Sequence, residues 1–275
     1  MSIGVFMLVR NEASWVAPYL TRMLPFIDEV VLFDGNSKDG TLDIIKAIRA
    51  GDTNGDKIKL FEDRDVKDLR DDYTRVFNEC MHSLSTDLAW FLHPDMHIVN
   101  PEQILLIKDS PAIALSTSMR SFAGNPDGVL YEIAGRGQAW KNIYRLRNPD
   151  LGAHYHGHYG AADEDVYFSE ITGNEHDHHG QDFGKYPYIV EDSGLEILHF
   201  SDVRTFDRRY RRMISCLENQ GHRPEDCPVI AGEHPRVTIK DGSGFSFLPA
   251  EYPPDFLAAK AKYAHLGRSK ELVCG

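Results

Sequence analysis

The chain reads as an α/β protein with a mainly parallel sheet, and three observations predict this. Short, continuous apolar runs alternate with helical patterns over the first 115 residues. Every polar cluster in that half directly follows a strand-like run, the position at which open parallel sheets bind ligands. Beyond that point the character changes to strand-like pieces separated by loops rich in Gly, His and Asp, which predicts a mixed α+β second lobe.

The elements follow in order. Ile3–Val9 is wholly apolar, as expected of a strand buried on both faces. Trp15, Val16, Tyr19, Leu20, Met23 and Leu24 share one helical face, with Ser14 available as N-cap and Pro18 in the first turn. Glu29–Phe33 is a second strand that runs into Asp34-Gly35-Asn36-Ser37-Lys38-Asp39-Gly40-Thr41. This polar turn opens a helix carrying Leu42, Ile45 and Ile48.

Lys59-Leu60-Phe61 is a weaker third strand. Asp68–Leu84 has a helical stripe of Leu69, Tyr73, Val76, Phe77, Cys80, Met81 and Leu84. Leu88–Leu92 is a fourth strand, ending at His93-Pro94-Asp95-Met96-His97. Strands separated by helices of this length make βαβ units. In the second half, strands are expected at Ala112–Phe122, Val129–Ile133, Asn142–Arg147 and Leu195–Phe200. A helix is expected from about Asp202 to Asn219, and an irregular tail from Ala231 to about Pro254. No repeat or low-complexity linker interrupts the chain, so one continuous domain with two lobes, 1–115 and 116–275, is expected.

Composition narrows the function. The 275 residues carry 42 acidic against 30 basic side chains, a net charge of −12, which demotes general binding to nucleic acid or anionic lipid. No apolar stretch reaches the roughly 18 residues of a membrane span. The first ten residues lack a signal peptide's basic start and cleavage site, and Cys80, Cys216, Cys227 and Cys274 form no CxxC pair. A reduced, cytoplasmic enzyme is the expectation.

Several groups could do chemistry. Asp95 and His97 stand two apart at a strand end, and a carboxylate with an imidazole suits Mn²⁺. The bland reading is a turn Asp and a surface His. His199 sits near the end of an apolar strand and becomes a third ligand if that strand lies beside Asp95. The Asp34–Thr41 turn offers N–H groups and hydroxyls to a ribose or phosphate, and is also an ordinary turn composition. Arg10-Asn11-Glu12 holds the same place after the first strand.

Seven of the thirteen histidines fall between His154 and His199. His154, His156 and His158 would face one side of an extended chain, as a second metal site or as a cleft-lining loop. Asp163-Glu164-Asp165 follows, a carboxylate cluster that holds a general base or begins a helix. Arg204, Arg208, Arg209, Arg211 and Arg212 give the late helix a basic side, either a solvated face or a contact to an anionic substrate group.

Taken in order, these clusters resemble the family 2 glycosyltransferases, which have the GT-A fold. The matching segments are Val9-Arg10-Asn11-Glu12-Ala13, Asp34 to Thr41, Arg75-Val76-Phe77-Asn78, and Trp90 to His97. The resemblance implies a nucleoside-diphosphate sugar donor, a UDP-sugar foremost, held by Arg10, Asn11, Glu12, Asp34, Asp39, Arg75 and Met96. It implies Mn²⁺ (or Mg²⁺) on Asp95, His97 and His199, with His97 where the family usually has the second Asp of a DxD motif. An acceptor hydroxyl would be deprotonated by Asp165 or Glu164 and attack with inversion. Asn142 to His158 resembles a subgroup segment ending in His-Glu, except that Tyr159 stands in place of the Glu. A nucleotidyltransferase, a non-catalytic nucleotide- or sugar-binding module, and a transferase acting on a modified nucleic-acid base are the alternatives.

Overall fold

Sheet formation starts from the apolar run at the N-terminus. β1 (Ile3–Val9) is buried at every position and has parallel neighbours on both sides, β2 (Glu29–Asp34) and β4 (Leu88–Phe91). β3 (Ile58–Glu62) extends the parallel part beyond β2. In the order β4-β1-β2-β3 the direction of growth reverses between β1 and β4. The crevice outside the carboxyl ends at such a point is where open α/β sheets bind ligands. The computed structural model describes residues 1–63, 73–112, 114–124, 130–134, 138–145, 153–156, 165–168, 190–203 and 246–267.

Both faces of β1 are covered, which is why its sequence shows no polar alternation. Ile3, Val5, Met7 and Val9 pack with Val16, Leu20 and Met23 of α1 (Val16–Met23) and with Ile44, Ile45 and Ile48 of α2 (Thr41–Gly51). On the other face Phe6 meets Phe77 of α3 (Tyr73–His82) edge-to-face at 4.8 Å and Phe91 at 5.4 Å. The fold class expected from the sequence, a parallel sheet flanked by helices, is the one observed.

The second half grows onto the same sheet. β5 (Met96–Ile98) and a short α4 (Ile104–Ile107) lead into β6 (Ala114–Gly124), followed by β7 (Leu130–Ala134) and β8 (Gln138–Arg145). β8 lies antiparallel to both β4 and β6, so it joins the two halves. β9 (Ala153–His156) and β10 (Asp165–Phe168) form a separate antiparallel ribbon. β11 (Val190–Val203) pairs with β5 and β6, and β12 (Ser246–Ala250) closes the far edge against β7. The sheet has ten strands among the described residues. α5 (Pro254–Gly267) then crosses back over α1 and α2. No helix among these residues is long and apolar enough to cross a membrane.

Four expectations change. Ser14 does not cap α1; the helix starts one residue later, after Trp15, which has no side-chain cap bond and is buried in an aromatic cluster. β4 ends at Phe91, one residue short of the expected Leu92, and beyond a turn at Pro94-Asp95 the segment Met96–Ile98 forms a further strand, β5. The tail before Pro254 is not wholly irregular, because Ser246–Ala250 is a strand. Pro249 lies in this strand, which stands at the end of the sheet order, the kind of position to which strand prolines are confined. β11 runs through Val203, so the helix expected from Asp202 lies, past that residue, outside the described residues, together with its five arginines.

Candidate functional site

β1 and β2 end side by side, and the loops that follow them are laced together. The amide of Asn11 donates to the Ser37 hydroxyl at 2.9 Å, that of Glu12 to the Thr41 hydroxyl at 2.7 Å, and that of Ala13 to Asp39 Oδ2 at 3.1 Å. In return the Lys38 amide donates to Asn11 Oδ1 at 2.7 Å. Asn11 (φ 57°) and Asn36 (φ 62°) both sit in the left-handed region, which Asn tolerates better than most side chains. Held strain of this kind collects at functional sites.

Asp34 closes β2 and is 2% exposed. Its Oδ2 accepts the Ser37 amide at 3.0 Å, whereas Oδ1 is buried with no hydrogen-bond partner among the described residues. A buried carboxylate oxygen without a donor is costly unless a ligand supplies one. Asp39 is differently used. Oδ1 takes both the amide and the hydroxyl of Thr41, and Oδ2 takes the Ala13 amide, so its acceptors tie the loops together. Glu12 and Arg10 are half-buried in the first loop, and the Glu12 carbonyl accepts the amides of Trp15 and Val16 at the start of α1.

β11 does lie beside Asp95. The Phe200 amide donates to the Asp95 carbonyl at 2.9 Å, and His199 Nε2 stands 4.0 Å from Asp95 Oδ1. Asp95 is 4% exposed, and the His199 side chain 16%. His97 goes elsewhere. The ladder pairs His97 with Leu198 and Met96 with His199. Paired residues share a face and faces alternate. His97 therefore shares a face with Leu198 and Phe200, and His199 emerges on the opposite face. Among the described residues no three His, Cys, Asp or Glu side chains gather as a metal-binding group.

His97 is caged by rings instead: Phe256 at 5.3 Å, Phe200 at 5.5 Å, Tyr19 at 6.0 Å and Trp15 at 6.3 Å. Burial, reinforced by the nearby Arg22 guanidinium, pushes its pKa down to about 4, and its Nε2 has no hydrogen-bond partner among the described residues. No periodicity in the sequence announces this cage, because its rings come from Trp15 and from α1, β11 and α5.

The remaining expected site residues are scattered. Met96 is 1% exposed and packs in the main core. Arg75 stands on the exposed side of α3 with its guanidinium 3.0 Å from Glu79. Asp165 begins β10 opposite His156, and His154 pairs with Tyr167. Glu164, His158, His176, His178 and His179 lie outside the described residues.

No family model matches this chain, and no curated protein does. Solved structures resemble part of it. One is the mannosyltransferase PcManGT from Pyrobaculum calidifontis in complex with GDP-Man and Mn²⁺. It is 17% identical, over 42% of this chain and 34% of that one, with a TM-score of 0.35. A second is glucosyl-3-phosphoglycerate synthase from Mycobacterium tuberculosis in complex with Mn²⁺, uridine diphosphate and glucosyl-3-phosphoglycerate. It is 19% identical, over 44% of each chain, with a TM-score of 0.30. A third is a nucleotidyl transferase from Methanothermobacter thermautotroptrophicus, 11% identical over 46% of this chain and 65% of that one, with a TM-score of 0.30. The chain spans less than two thirds of the length of each.

Proposed function

We propose that this chain is a metal-dependent glycosyltransferase of the GT-A type, moving a sugar from a nucleoside diphosphate, UDP foremost, to an acceptor hydroxyl with inversion. The observation that carries the reading is the Asp95–His199 pair beside the point where the sheet reverses its order. A carboxylate and an imidazole are a donor set that Mn²⁺ accepts. Two ligand atoms each about 2.1 Å from one ion stand no more than about 4.2 Å apart, so the 4.0 Å separation accommodates a shared cation. When bound, the divalent ion would offset charge on the departing nucleoside diphosphate as a Lewis acid and template.

The chain's own residues divide the rest. Asp34 Oδ1 accepts an N–H or O–H from the nucleoside, which relieves its orphaned state. Arg10, Asn11 and Glu12 line the donor side, while Asp39 holds their loop and acts through them. Arg75 and Met96 are left with structural roles, in an ion pair and in the core. Asp165 is the base for the acceptor hydroxyl, on the ribbon opposite His156, with Glu164 beside it in sequence. The two lobes then divide as donor side, 1–115, and acceptor side, 116–275.

Thermal melting with UDP, GDP, CMP and dTDP, each with Mn²⁺, Mg²⁺ or EDTA, tests this. A ligand at a hundredfold excess over its Kd stabilises by about 2.7 kcal/mol. We expect one nucleoside diphosphate to raise Tm only with metal, and the shift to vanish in both Asp95→Ala and His199→Ala. A shift that persists in EDTA points to a metal-free binding module, and no shift with any nucleotide overturns the reading.

A further inference from the structure

We infer that α5 is a clamp on the donor loops, so that nucleotide affinity is set in part by Leu266 and Gly267, more than 220 residues from those loops in sequence. The inference rests on the donor-site reading above. At its N-terminal end α5 is pinned to the strand next to Asp95. Asp255 pairs with Arg22, whose guanidinium also donates to the carbonyls of Ile98 and Val99, and Phe256 packs 5.3 Å from both Trp15 and His97. Midway, Ala259 and Tyr263 are buried, Tyr263 in the core shared with α1 and α2.

At its C-terminal end the helix presses on the interlocked loops. Gly40 has φ +96°, and a Cβ there would meet the Leu266 carbonyl oxygen at 2.4 Å and Gly267 Cα at 2.9 Å. Gly40 is thus required twice, by its left-handed backbone and by the helix end against it. On the other side, a Cβ on Gly267 would meet Ala13 Cβ at 3.6 Å and the Asp39 carbonyl at 4.0 Å. Ala13 and Asp39 are the two residues whose mutual hydrogen bond ties the loops. One rigid helix therefore spans from the strand next to Asp95 to the loops around Asp34. Removing its contact would free the left-handed residues Asn11 and Asn36 to relax, and ordering them again on binding costs affinity.

The contact distances select the variants. Gly267→Ala places its methyl at ordinary van der Waals distance from Ala13 and is the conservative control. Gly267→Leu drives a branched side chain into Ala13 and the Asp39 carbonyl. Hydrogen exchange of the Asn11, Glu12 and Ala13 amides, read without nucleotide, should quicken about tenfold or more in Gly267→Leu, with β1 and β4 amides unchanged. Calorimetric Kd for UDP with Mn²⁺ should weaken by a similar factor, and Gly267→Ala should match the wild type in both. Unchanged loop exchange overturns the clamp. So does a rise that includes β1 and β4, which would mark global destabilisation, and so does unaltered UDP affinity despite loosened loops. If the wild type binds no nucleotide, the donor reading fails, while the exchange data still decide whether α5 holds the loops.

Discussion

His97 shows how one side chain separates stability from chemistry. Burial holds its imidazole neutral in the fold, down to about pKa 4, whereas the unfolded chain takes up the proton near 6.5. Above 6.5 neither state binds that proton and the contribution to pH dependence is flat. Between 6.5 and 4 only the unfolded state binds it, so stability falls as pH falls, by on the order of 3 kcal/mol across the window. Urea denaturation at pH 7, 6, 5 and 4.5 should show this slope, and His97→Leu should reduce it. The same variant should keep the metal-dependent nucleotide shift, because His97 lies on the face opposite His199. Loss of that shift in His97→Leu would return His97 to the metal site.

At the scale of elements, α3 holds its side of the sheet through Phe77, which is 2% exposed and packs at 4.8 Å from Phe6 and 4.7 Å from Phe91. Phe77→Ala should cost about 3 to 5 kcal/mol in denaturant unfolding, the range for a large aromatic removed from a closed core. A loss under about 1 kcal/mol would mean that the site collapses around the gap. This element was legible in advance, since Val76, Phe77, Cys80 and Met81 form a helical stripe. The loops after β1 and β2 were legible as polar turns at strand ends. Their mutual hydrogen bonds were not, because Asn11–Ser37 and Glu12–Thr41 join residues 26 and 29 apart, beyond any local pattern.

For the whole molecule the continuity of the sheet is decisive. β4 pairs with β1 on one side and with β8 on the other, through Leu88–Arg145, Ala89–Tyr144 and Trp90–Ile143. A chain cut after Ala112 would leave the buried strand Leu88–Phe91 as a bare edge, an open template for aggregation. Size-exclusion chromatography should find that fragment aggregated. A monomeric, cooperatively unfolding fragment would show that residues 1–112 form an independent domain.

By itself the sequence determined the class of fold and the strand ends at which polar groups collect, because the burial of β1, β2 and β4 is written in contiguous residues. It also singled out Asp34, Asp95 and His199, each a polar residue closing or following an apolar run. Only the tertiary structure decided which of these meet. Whether His199 reaches Asp95 depends on the β5–β11 register, and a shift of one residue would turn it to the other face. Register is set by packing between segments a hundred residues apart, so no local pattern encodes it. The seat of α5 against Gly40 is of the same kind, a contact between distant backbones that only the folded chain brings together.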